Sequence, residues 1–189
     1  MNLSKFLKQN NIKDEQSLFN YLNDNKYDWW YLSTESKKEK EKDIYSKLWT
    51  LKDIKGIIKD KMAICWDYAN LEKNIFNYLQ LKSNIYQIVF DGDIETNQSH
   101  CFTVIERNWE FILFEYSFRR NAGVYIKKNI DEIIEMILDW IYLKLDYMRD
   151  KNIAVYRFKD TFPKNIDTKW LLEFAKSQEV IYEKSAENR

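Results

Sequence analysis

The chain is poor in the residues from which most cofactor and metal motifs are written. Its 3 glycines, Gly56, Gly92 and Gly123, are too few and too scattered for a glycine-rich phosphate loop or a dinucleotide fingerprint. One histidine and 2 cysteines cannot furnish the ligands of a zinc finger or ribbon, and neither metal nor cofactor is expected. Asp91, Asp93 and Glu95 lack the spacing of a calcium loop and read as a turn. Charge of one sign is also missing. The 30 basic and 30 acidic side chains cancel, which argues against a nucleic-acid partner held by excess Lys and Arg. No apolar run approaches the roughly 20 residues of a membrane helix, and the polar opening from Asn2 to Asn10 does not resemble a signal peptide. The expectation is therefore a cytoplasmic protein with no membrane partner, in which Cys65 and Cys101 stay free thiols. Scarce Ala, Gly and Pro beside abundant Lys, Asn, Ile and Tyr suggest AT-rich coding, as in a low-GC bacterium or its mobile elements.

What remains is an apolar and aromatic chain of 189 residues, 45% hydrophobic, enough for one sizeable core. No repeat or Gly/Ser/Pro linker divides it, so residues 1–189 are expected to form a single domain. Residues 1–59 read as helical, with Asp14 as an N-cap and further helices over 36–51 and 52–59. The alternating charges of Lys37 to Lys42 suit a solvated helix face. A helix follows from Ile64 to Leu79. Residues 85–90, 99–106, 109–118 and 124–126 are β-rich, Asn129 and Glu132 open a long amphipathic helix, 153–158 is a strand, and Asp167 caps a last helix. Helices followed by a mostly antiparallel sheet crossed by a helix make an α+β pattern.

The only histidine sits in one of these strands. If Arg107 and Asn108 form the hairpin turn, Glu106 faces Trp109, Val104 faces Phe111, Phe102 faces Leu113, and His100 falls opposite Glu115. Opposed Cβ atoms lie about 4.5–5.5 Å apart, a span that an imidazole–carboxylate hydrogen bond fits. A shift of one residue would send Glu115 to the other face. Taken alone, such a pair is more often structural than functional. Cys65 changes the balance, because it stands at the expected N-terminus of a helix, where unpaired N–H groups and the helix dipole favour a thiolate. Thiol, imidazole and carboxylate together supply attacker, base and orienter.

Cys65-Trp66-Asp67-Tyr68-Ala69 resembles the Cys-Trp and Cys-Arg-Asp-Tyr-Ala motifs of transglutaminase-like cysteine enzymes, a branch of the papain-like fold. The strand from His100 to Glu106 resembles that family's His-Ala-Trp-Val-Glu strand, and Trp109 to Glu115 its following strand, a Trp leading to an Asp. The similarity covers about residues 60–126. Three departures stand out: Ala63 replaces a glycine, Glu115 the commoner Asp, and Lys59 occupies the place of papain's oxyanion-hole Gln. The resemblance implies a papain-like, transglutaminase-like α+β fold with the nucleophile helix packed on the sheet. It also implies a catalytic set of Cys65, His100 and Glu115 acting through an acyl-thioester on a protein or peptide substrate. Water as acceptor makes a peptidase or amidase, an amine makes an acyltransferase, and a non-catalytic binding module is the third possibility. Trp66, beside the nucleophile, is a candidate substrate contact. Asp67 reads as a helix-start residue, Cys101 as a buried structural thiol on the opposite sheet face from His100, and Arg119-Arg120 as a solvated loop.

Overall fold

The computed structural model describes residues 2–29, 51–91, 99–163 and 166–186. The expected helix over 36–51 (apart from its last residue), the charged run at 37–42, and Asp93 and Glu95 lie outside them. Two short helices, α1 (Leu3–Gln9) and α2 (Glu15–Asp24), lead to a two-residue strand, β1 (Asp28–Trp29). Asp14 caps α2 as anticipated, accepting from the Ser17 N–H at 2.8 Å. Next come α3 (Ile54–Asp60), β2 (Met62–Ala63), which pairs in parallel with β1, and α4 (Cys65–Tyr78).

The remaining strands form one antiparallel sheet: β3 (Ser83–Phe90), β4 (Ser99–Arg107), β5 (Glu110–Glu115), β6 (Gly123–Lys127), β7 (Ile153–Phe158) and β8 (Glu179–Lys184), in the order β6-β5-β4-β3-β7-β8. Helix α5 (Ile130–Lys144) starts at the Asn129 cap, and α6 (Thr168–Lys176) at the Asp167 cap. The charged and apolar alternation of Glu179 to Lys184 hides an edge strand that the sequence reading leaves out.

Helices cover both faces of the sheet, giving an α+β molecule of three layers. On one face Tyr86, Phe102, Val104 and Leu113 pack against Ile133, Ile134, Ile137 and Leu138 of α5. On the other, Ile105, Ile112 and Phe114 meet Leu71, Ile75 and Phe76 of α4 and Leu18 and Leu22 of α2. Helix α4 is thus wedged between the sheet and the N-terminal helices, with 11 of its 14 residues buried. Glu15 of α2 grips Arg107 of β4 through two bonds of 2.6 and 3.2 Å, fastening the N-terminal helices to the hairpin.

The β4–β5 turn is a correction to the sequence reading. Asn108 and Trp109, with φ of 53° and 66°, are the two turn residues, and Arg107 pairs with Glu110. Positive φ at both positions is the type I′ geometry that matches strand twist. Trp109 is rarely a turn former, and its indole is 98% exposed. The register therefore moves by two: Val104 faces Leu113 and Glu106 faces Phe111. A shift of two keeps every side chain on its expected face.

Candidate active site

That even shift decides the fate of the histidine. His100 is no longer directly opposite Glu115 but one diagonal step away, still on the same face. The extra reach of the glutamate closes the gap: His100 Nε2 lies 2.7 Å from Glu115 Oε2, with His100 7% and Glu115 1% exposed. The carboxylate is anchored at its other oxygen too. Glu115 Oε1 accepts from the Phe118 N–H at 2.7 Å and from the Ser117 hydroxyl at 2.9 Å. Both bonds come from the chain leaving β5, so the freedom of the longer Glu arm is removed locally.

The imidazole has a second partner. The Cys65 thiol is close enough to the ring to act on its charge. With Nε2 committed to Glu115, Nδ1 is the nitrogen left to meet the thiol. Phe102 stacks on the ring at 6.1 Å and Phe118 stands edge-on at 5.4 Å. Burial works against a charged ring here, but the charge of Glu115, the Cys65 thiol and the hydrogen bond to Glu115 overcome it, raising the His100 pKa to about 10. The ring holds its proton at neutral pH.

Cys65 is the first residue of α4, so its N–H has no acceptor within the helix. The helix start is held by Asp67, whose two oxygens accept from the Ile64 N–H at 3.1 Å and the Lys52 N–H at 2.8 Å. Asp67 is fully buried, in keeping with the structural reading of that residue. The thiol therefore projects from a fixed helix end.

Other expected participants divide. Trp66, the proposed substrate contact, is 5% exposed and packs in the core cluster with Ile64, Ala69, Ile85 and Phe158; its ring is core rather than cleft wall. Cys101 lies in the same cluster on the α4 face, 1% exposed, and burial first, then the charges of Cys65, Glu72 and Glu115, push its thiol pKa well up. It is a buried neighbour of the site, as the sequence reading has it. Both cysteines are free thiols. Lys59 is exposed in the last turn of α3. Arg119 binds the Tyr27 carbonyl at 2.9 Å and lies over the Tyr116 ring, a structural tie.

Glu72 escapes a reading of the sequence. Two turns along α4 from Cys65, it is 2% exposed, and burial drives its carboxyl pKa well above the usual range against a hydrogen bond from Thr103. An acid in a helix normally reads as solvent-facing, and only the all-round burial of α4 makes this one internal. Among the described residues no group of three or more His, Cys, Asp and Glu is placed to hold a metal ion, and no helix is long and apolar enough to cross a membrane. Compared with protein-family models, curated proteins and solved structures, the chain matches none.

Proposed function

We propose that this chain is a thiol-dependent hydrolase of amide or peptide bonds, with a papain-like fold of the transglutaminase type. The observation that carries the reading is one imidazole hydrogen-bonded to a buried, fully engaged carboxylate, with a thiol at a helix N-terminus close enough to act on its charge. The placement of a nucleophile helix on an antiparallel sheet, with His100 and Glu115 on neighbouring strands, supports the same fold.

In this mechanism His100, already protonated, pairs with Cys65 as its thiolate, and the sulfur attacks the carbonyl carbon of the substrate. The developing oxyanion faces the Cys65 N–H, which the helix leaves without an acceptor. His100 gives its proton to the departing amine as the C–N bond breaks, leaving an acyl-thioester. Water then attacks, gives a proton to His100, and releases the acid with the thiolate–imidazolium pair restored. Glu115 keeps Nε2 protonated and turns Nδ1 toward the sulfur.

Alkylation by iodoacetamide near neutral pH tests the reading. Cys65 is 7% and Cys101 1% exposed, so faster labelling of Cys65 is not sufficient by itself. The deciding comparison is His100→Gln, which should slow Cys65 labelling at least tenfold and abolish cleavage of a quenched-fluorescence peptide library. An unchanged labelling rate in His100→Gln, with no turnover by the parent protein, would leave a non-catalytic module. Incorporation of a fluorescent amine into a protein acceptor would redirect the chemistry to acyl transfer.

A further inference from the structure

At the far end of β4, about 20 Å along the strand from His100, the molecule opens into a cleft of about 540 Å³. Four cations, Lys73, Lys82, Arg157 and Lys159, line it against a single lining carboxylate, Glu106. Two acids at the cleft are already committed. Glu106 is bound by Lys82 and by the Asn84 amide at 2.8 Å. Glu179, beside the cleft, is held by Arg157 at 2.6 Å and by Lys159 at 3.4 Å.

Two buried groups in this wall are under-used. Lys73, in the second half of α4, is 5% exposed, and its ammonium donates to the Ser83 carbonyl. Among the described residues no carboxylate approaches it within ion-pair distance, and Asp160 and Glu106 act on it only from farther away. An ammonium so far from water ordinarily has an anionic partner. Ser83, at the start of β3, is 3% exposed, and its hydroxyl has no hydrogen-bond partner. A buried hydroxyl left unmatched is costly, so it calls for an explanation.

We infer that this cleft is a binding site for a phosphoryl group, with Lys73 and Ser83 at its floor and Lys82 and Lys159 at its rim. A planar carboxylate suits the in-plane fork of an arginine, but the one arginine here is already taken by Glu179. Lys82 and Lys159 each meet one carboxylate but keep further N–H donors, and with Lys73 and the Ser83 hydroxyl they surround an open volume with a donor set suited to a tetrahedral dianion with several acceptor oxygens. The lining offers Leu81 as its only apolar side chain and no aromatic ring, so recognition centres on the phosphate rather than on a base. The site is independent of the thiol chemistry and is tested without it.

The full-length protein is titrated with inorganic phosphate, pyrophosphate, ADP and sodium acetate at constant ionic strength, read by calorimetry and by thermal shift. Pyrophosphate should bind and raise Tm, while acetate does neither. Ser83→Ala should fold normally, because no bond is lost, yet weaken pyrophosphate at least threefold. Lys73→Met should weaken it at least tenfold, and the exposed Lys159→Gln about threefold. Tighter binding of ADP than of pyrophosphate identifies a nucleotide as the source of the phosphoryl group, and equal or weaker binding identifies free polyphosphate. Equal shifts with acetate, unchanged affinity in Ser83→Ala and Lys159→Gln, or retention of single-stranded RNA without any response to pyrophosphate would overturn the assignment.

Discussion

Helix α4 meets two different environments along its length. At its N-terminus, beside Cys65, the polar groups are matched: Glu115 accepts three hydrogen bonds, one of them from His100, and Asp67 ties two backbone N–H groups. Eight residues on, Lys73 rests on a carbonyl alone, and the nearby Ser83 hydroxyl has no partner. A matched network fixes geometry in advance of any substrate, as acyl chemistry requires. An unmatched one leaves binding energy uncollected, as a ligand site requires. The same buried helix can hold both because its apolar contacts, each buried Leu, Ile or Phe contributing about 1.5–3 kcal/mol, offset the cost of internal Glu72 and Lys73.

Substitutions at the two ends should separate these characters. The largest effect belongs to Cys65→Ala, expected to lower peptide turnover by at least about a thousandfold with little change in Tm. Glu115→Ala should destabilise the fold by about 3–5 kcal/mol in urea titrations, since it leaves a buried imidazolium without its carboxylate. It should also alter the pH dependence of stability. The folded His100 pKa, about 10, lies above the ordinary 6.5, so its contribution is complete below pH 6.5 and disappears as pH rises toward 10. Parent Tm should fall across that window, and the fall should be smaller in Glu115→Gln. A smaller contrast follows at two serines. Ser117→Ala, which removes a matched hydroxyl, should cost about 1 kcal/mol, whereas Ser83→Ala should be neutral or slightly stabilising without phosphate. Equal losses at both serines would erase the distinction between the ends.

Much of this was legible in the order of residues, and the exceptions have physical causes. Strand alternation put His100 and Glu115 on one face, and caps at Asp14, Asn129 and Asp167 marked three helix starts. The turn was misplaced because Trp109 adopts a left-handed backbone that its side chain does not advertise. The smallest expected effect tests this: Trp109→Gly should leave stability within about 1 kcal/mol of the parent, on the stabilising side, as relief of backbone strain outweighs added chain entropy. Lys73 and Glu72 were invisible for a different reason. Their burial comes from the N-terminal helices and the sheet closing on α4 together, a long-range arrangement that no local window contains.

Because the chain holds a single imidazole and the fold seats it between sulfur and carboxylate, the protein carries its own spectroscopic reporter. The carbon-bound proton between the two ring nitrogens resonates without overlap from any other histidine. Its chemical shift senses both neighbours at once, so occupancy of the thiol can be followed in solution without labels.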